Sequence, residues 1–389
     1  MDQPQQLSFA DAEYANKGKV TRREKFLGQL DGLLPWSVIL KTAVGVYCGP
    51  FVLSNVEAWT ARNTLTKRVN EKSRAPFDKL RTNGIFHRQT ALFRVMVAVI
   101  APHYASGKGP GRKPFPLNAM LHVHVAQIVY NYSDPGMEDA LYEIESLRRF
   151  CGVRLEGVPD ESTILQFRHL LEAHGLTEQI FQAINQTLGE RGLFLKAGTL
   201  VDASLIAAPT STKNQDKARD PEMHASKKGN QWFFGSKFHI GVDSETGLVH
   251  SLKVTSGNVS DIAEAASLLH GEEQFVHGDA GYQGLDKRPE MSSDNPPDCV
   301  IAMRPGKLAK LTKDESEQAQ SLRQAARELA SRRAKVEHVF RDIKIRFGYA
   351  KNRYRGLAKN AARLTFLTAI ANVPRGDAYE RRSLIASGI

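Results

Sequence analysis

The sequence predicts a helical first half and a second half built on a mixed β-sheet flanked by helices. Three observations predict it. Apolar residues recur at helical spacing through 116–190. From about 195 they alternate in several short runs bounded by turn residues. Helix-capping signatures then return between and after those runs.

In the first half, residues 1–40 read as partly helical. Leu117, Met120, Leu121, Val125, Ile128 and Val129 mark one helix. Ser133-Asp134-Pro135-Gly136 reads as a turn leading into the helical run from Met137. Asp160 is an N-cap for the helix that follows, with Thr163 in its first turn. Such a helical domain often contains a helix-turn-helix, and a plain packing domain fits the pattern equally well. The segment 42–99 differs, with scattered basic residues and weak periodicity. It reads as an insertion, because a structureless run of that length inside a domain is unusual. The Gly- and Lys-rich run 107–114 reads as a basic linker.

In the second half, 199–206 is a strand. Residues 236–243 alternate, with Phe238, Ile240 and Val242 on one face and Lys237, His239 and Gly241 on the other. Glu245-Thr246-Gly247 turns the chain into a third strand, 248–255. Asp261 with Glu264 signals a helix over 262–269. Residues 275–278 and 299–303 are the fourth and fifth strands. Thr312 with Glu315 opens a helical region that runs to Phe347, where Gly348 stops it. Three sequential strands followed by alternating elements make a mixed sheet. The domains expected are 1–190, interrupted at 42–99, then 195–375 and a tail, 376–389.

The 389 residues allow two domains and a sizeable core. A net charge of +11 favours a polyanionic partner, nucleic acid before membrane. Cys48, Cys151 and Cys299 are far apart with no CxxC, which excludes a disulfide framework and fits a reducing cytoplasm. No signal-peptide pattern opens the chain and no run is long and apolar enough to span a bilayer. A soluble intracellular protein is expected.

Three carboxylates carry the chemistry. Asp202 lies inside the apolar run Leu200-Val201-Asp202-Ala203-Ser204-Leu205-Ile206, where an unpaired buried carboxylate is costly. Asp279 follows Phe275-Val276-His277-Gly278 and opens a turn, a place where Asp is also an ordinary turn residue. Glu337 shares a helical stripe with Arg333, Arg341 and Lys344. A solvated salt-bridge face explains such a stripe in most helices. Here the run from Arg332 to Arg355 holds nine Lys or Arg against two acids, interleaved with Tyr349 and Tyr354, which suits a phosphate backbone. Two acids at strand ends and one on a helix can hold two Mg²⁺ ions, with Mn²⁺ as a substitute. Asp202 and Asp279 would share one ion, and Asp202 and Glu337 the other. Such a site cleaves and joins phosphodiester bonds.

The runs Val201-Asp202-Ala203-Ser204-Leu205-Ile206-Ala207-Ala208-Pro209, Phe238-His239-Ile240-Gly241-Val242-Asp243, Gly278-Asp279-Ala280-Gly281-Tyr282-Gln283-Gly284 and Arg333…Glu337…Lys344 resemble bacterial insertion-sequence transposases of the DDE class, in the insertion-sequence-five group. The opening Ser8-Phe9-Ala10-Asp11-Ala12-Glu13-Tyr14 and Tyr132-Ser133-Asp134-Pro135-Gly136-Met137-Glu138 resemble that group's first domain. The resemblance implies an RNase H-like catalytic domain with Asp202, Asp279 and Glu337 as catalytic and metal-binding acids. It also implies that Arg333 and Lys344 position end DNA. Ala330 stands where the family pattern has tyrosine. The expected partners are double-stranded DNA, as transposon ends and target, and at least a second copy of the chain on DNA. The expected location is the cytoplasm, on the nucleoid. Segment 42–99 has no counterpart in the resemblance and looks like a translated dispersed repeat. The alternative reading is therefore a catalytically dead, DNA-binding remnant.

Three other residues have two readings each. Trp232 either stacks on an unpaired base near a cleaved end or, the commoner role, packs at the start of its strand. Asp243 is either a fourth acid near the metals or a strand-end turn residue with Glu245, the commoner role. His239 either approaches the site or is a satisfied structural histidine. His277 and His338 flank the acids without metal-ligand spacing.

Overall fold

The computed structural model describes residues 94–105, 113–215, 217–292, 296–312 and 316–386. The start of the chain, most of 42–99, the linker residues before Lys113 and Glu315 lie outside the described residues. Residues 94–99, the described end of that segment, are helical.

The described helices of the first half are α1 (Leu117–Tyr130), α2 (Asp134–Glu143), α3 (Glu145–Cys151), α4 (Glu161–Ala173) and α5 (Leu176–Glu190). The stripe predicted for α1 is buried at Met120, Leu121, Val125, Ile128 and Val129, and the residues between are buried too. Asp160 caps α4 as expected, its Oδ1 accepting from the Thr163 N–H at 2.7 Å. The turn expected at 133–136 is instead the first turn of α2: Ser133 Oγ accepts from the Gly136 N–H, and Pro135 is tolerated where no N–H partner is needed.

The chain divides into two compact units. One contains Glu138–Pro159, where the Arg148 guanidinium donates to the carbonyls of Leu141 and Tyr142. The other contains Val95–Ala105, Pro116–Met137 and everything from Asp160, so α1, α4 and α5 share a unit with the sheet.

The sheet is mixed and six-stranded. Its strands are β1 (Gly198–Ala207), β2 (His224–Lys228), β3 (Gln231–Asp243), β4 (Val249–Ser256), β5 (Phe275–Gly278) and β6 (Asp298–Ile301). The five expected strands are present. The sixth, β2, is an addition: its polar sequence has no apolar alternation to reveal it. β3 pairs antiparallel with β1 on one edge, and β2 and β4 lie end to end along its other edge. β5 and β6 run parallel to β1. Val201, Val276 and Tyr282 pack on one face with Ala265, Leu268, Leu285 and Met291.

The helix after β4 is shorter than expected. α6 (Asp261–Glu264) gives way to a 3-10 turn, and Ser260, not Asp261, occupies the N-cap position. After α7 (Pro305–Leu311) comes the long α8 (Glu317–Arg341). Its cap is Ser316, whose Oγ accepts from the Ala319 N–H, not Thr312, which ends α7. One π turn, Asp342–Arg346, extends α8, and Gly348 then takes a positive φ as expected of a stop. Finally α9 (Leu357–Ala386) packs on α5 and β4. Asn372 fastens it there, donating to the Val249 carbonyl and to Asn185 Oδ1 and accepting from the Val249 N–H. No helix among the described residues is long and apolar enough to cross a membrane.

Two buried histidines set a pH response. Burial holds His250 down to about 4, and the neighbouring His270 adds to this. Burial holds His124 down to about 3, with Arg363 and Arg168 acting the same way. Both are neutral in the fold and protonated in the unfolded chain below about 6.5. The unfolded state therefore binds more protons, and stability is lost as pH falls from 6.5 toward the folded values. Urea unfolding is expected to show a lower unfolding free energy at pH 5 than at pH 7.5, by up to about 2 kcal/mol per histidine.

Candidate active site

The site begins with strand register. β1 and β5 are parallel with Leu200 opposite His277. Two residues further along lie Asp202 on β1 and, just past the end of β5, Asp279, which is within electrostatic reach of Asp202. Leu200, Val201 and Ile206 are buried and anchor β1, so the carboxylate of Asp202 is carried in among them. Its Oδ1 accepts from the Ala203 N–H at 2.7 Å. Burial pushes the Asp202 carboxyl up to about 6; Asp279 adds to the rise, while the Ala203 N–H and Arg333 oppose it. Asp279 continues β5 in extended conformation and caps a 3-10 turn, Ala280–Tyr282, its Oδ1 accepting from the Gly281 N–H at 2.8 Å. It is a turn residue and a neighbour of Asp202 at once.

α8 brings the third acid. Arg332 and Lys335 reach Glu245, at the turn after β3, and the Phe340 ring meets Phe238 edge-on at 6.1 Å. Asp243 is opposite Thr199 and Phe238 opposite Ser204. α8 therefore runs in the same sense as β1, and Glu337 lies on it one turn past Arg333. Arg333, one turn earlier on the same stripe, has its guanidinium 3.6 Å from Asp202 Oδ2. Glu337 is exposed, while Val336, Val339 and Ile343 are buried and hold the helix down.

Two transposase families match this architecture. A transposase DDE domain matches residues 194–373, which takes in the whole sheet and α8. A second transposase domain matches residues 86–170, across α1 to α3 and much of α4. Residues 194–373 belong to the transposase DDE domain family. A solved structure, the cryo-EM synaptic complex of the piggyBac transposase with hairpin DNA, is similar at 13% identity and a TM-score of 0.34, over 72% of each chain.

Of the basic residues on this helix, Arg333 is tied to Asp202. Arg341 ends α8, but Lys344 lies in the π turn, where the Phe347 N–H bonds to the Asp342 carbonyl. That wider turn takes Lys344 off the α-helical stripe expected for it. Trp232 does not pack at the start of its strand; it is 69% exposed, opposite Lys227 in the β2–β3 hairpin. Asp243 is the strand-end turn residue, accepting from the N–H groups of Leu195, Lys196, Glu245 and Thr246. His239 is buried, with Nε2 bonded to Thr255 Oγ1 and Nδ1 unpartnered. His338 is exposed and His277 buried.

The acids fit a hard divalent cation in their chemistry: they offer oxygen donors only, and Asp202 is desolvated. A second group does not fit one as well. Potential ligand atoms of His250, His270 and Glu273 lie within 4.8 Å of one another, beside a cavity of about 510 Å³ near the start of β1. His270 Nδ1 accepts from the Glu272 N–H, which puts the ring proton on Nε2, facing Glu273. Glu273 already accepts from Thr199 Oγ1 and from the N–H groups of His270 and Gly271. This is a closed hydrogen-bond network.

Sequence reasoning passed over two residues beside the acids. Asp261 was read as a helix cap and Tyr282 as part of a turn, although both lie within electrostatic reach of Asp202. Gly278 makes room for Tyr282: a Cβ there would stand 2.9 Å from Tyr282 Cβ and 3.0 Å from Ile301 Cδ1. Gly278→Ala is expected to displace Tyr282 and lower unfolding stability by about 1–3 kcal/mol, read from urea midpoints.

Proposed function

We propose that this chain is the transposase of a bacterial insertion sequence of the insertion-sequence-five type. It binds the terminal inverted repeats of its element, cleaves one strand at each end and joins the freed 3′-hydroxyl to target DNA. The observation that supports this reading is the ion pair from Arg333 of α8 to Asp202, a desolvated carboxylate that also feels Asp279.

Asp202 with Asp279, and Asp202 with Glu337, make two oxygen-lined seats for Mg²⁺ or Mn²⁺. Ions bound there supply activation of the attacking hydroxyl and stabilisation of the leaving oxygen. Arg333 offsets the charge of Asp202 and positions the scissile phosphate. Arg341 and Lys344 contact the phosphate backbone on either side, and Trp232 stacks on a base unpaired at the cleaved end. Bringing two ends together calls for at least two copies of the chain, acting on the nucleoid in the cytoplasm.

The decisive experiment is Mg²⁺-dependent strand transfer with DNA bearing the element's ends. Asp202→Asn, Asp279→Asn and Glu337→Gln are each expected to reduce product to background while end binding is retained. An active variant removes that acid from the assignment. Arg341→Ala and Lys344→Ala are expected each to lower the salt dependence of end binding by about one unit of slope. Trp232→Ala is expected to weaken binding of ends with an unpaired base by about 1–3 kcal/mol and to leave intact duplex unaffected, measured by fluorescence anisotropy.

A further inference from the structure

Two buried polar atoms near the acid pair have no hydrogen-bond partner, Tyr282 Oη and His239 Nδ1, and beside them Asp261 Oδ1 is held only by an ion pair with Lys237. Buried orphans are uncommon, and each one points to a water or ion that would satisfy it. These three are not scattered. α6, which begins with Asp261, packs on the 3-10 turn that ends with Tyr282. His239 Nδ1 is 4.0 Å from Asp261 Oδ1. The Tyr282 side chain is only 1% exposed, and its hydroxyl feels Asp202, Asp261 and Asp279 together. Asp202 in turn feels both Asp279 and Asp261.

We infer that Asp261 is a fourth acid of the site, which together with the Tyr282 hydroxyl holds the water shell of a divalent cation seated on Asp202 and Asp279. The inference rests on the acid-pair reading given under Proposed function. Mg²⁺ and Mn²⁺ bound through one or two carboxylates keep several waters, and those waters need acceptors and donors around them. Asp261 offers an acceptor, Tyr282 a hydroxyl and His239 a ring nitrogen. Charge points the same way. Asp202, Asp279 and Asp261 face two cationic side chains, Arg333 on Asp202 and Lys237, whose Nζ is 2.9 Å from Asp261 Oδ1. Lys237 also donates to the Val259 carbonyl. An unbalanced negative charge remains where the orphan atoms gather. Asp261 and Tyr282 are thus positioning residues, acting on the waters and not on the phosphate.

The test is binding of Mn²⁺ to the full chain without DNA, followed by the electron paramagnetic resonance of the free ion. Asp261→Asn and Tyr282→Phe are expected to weaken binding about 10–100-fold with unchanged circular dichroism, as loss of a partner outside the ligands does. Tyr282→Phe removes one oxygen and keeps the ring, so it decides the matter even if Asp261→Asn does not fold. Asp202→Asn is expected to abolish binding. If Tyr282→Phe, and Asp261→Asn where it folds, match the unaltered chain while Asp202→Asn loses the ion, this inference is overturned and the acid pair stands. If Asp202→Asn binds Mn²⁺ as the unaltered chain does, the acid pair falls and the inference with it.

Discussion

The arrangement depends on the register of one strand. β1 is paired along its length with β3 and, at its start, with β5. A slip of one residue would turn Asp202 into the apolar face with Val276 and Leu268, and Val201 toward Arg333. Several contacts oppose such a slip. Gly235 comes so close to the end of β1 that a Cβ there would stand 2.0 Å from the Ile206 carbonyl oxygen. Past the π turn, Asn352 donates its backbone N–H to the Ala207 carbonyl at 2.7 Å and its side-chain Nδ2 to Ser236 Oγ at 2.9 Å. The segment that follows α8 thus locks the strand whose acid α8 faces.

The electrostatics follow from that placement. A carboxylate forced into a desolvated strand becomes easier to protonate, and a second carboxylate beside it raises the cost of keeping both charged. One cationic side chain within 4 Å offsets part of this. The remainder leaves a net negative charge at Asp202 and Asp279. At the other end of the strand, Asp243 meets the same problem differently: four backbone N–H groups close on it and leave it a structural residue.

The sequence disclosed elements in proportion to how much of their order was local. α1 was legible because its apolar residues repeat at helical spacing, β3 because Phe238, Ile240 and Val242 alternate, and the start of α4 because Asp160 bonds within its own first turn. β2 was not, because its strand order is imposed by β3. Asp134 looked like a turn because Pro135 and Gly136 suit both a turn and a first helical turn. The three acids stood out individually, one by its apolar neighbours and two by their motifs. Asp261 did not: its interest comes from proximity to Tyr282 and Asp202, and no spacing in the chain encodes that. The exposure of Trp232 was equally hidden, since an aromatic at a strand start usually packs.

The β2–β3 hairpin has a consequence for how the molecule keeps to itself. β1 ends at Ala207, opposite Gly235, so Gln231, Trp232 and Phe233 extend beyond it with β2 as their strand neighbour. A two-stranded projection has open ladder groups on both borders and invites a third strand from another molecule. Lys227 is exposed on that projection, opposite Trp232. An exposed lysine there repels a like copy and welcomes a polyanion, so the same residue discourages self-stacking of the arm while leaving it open to a negatively charged guest.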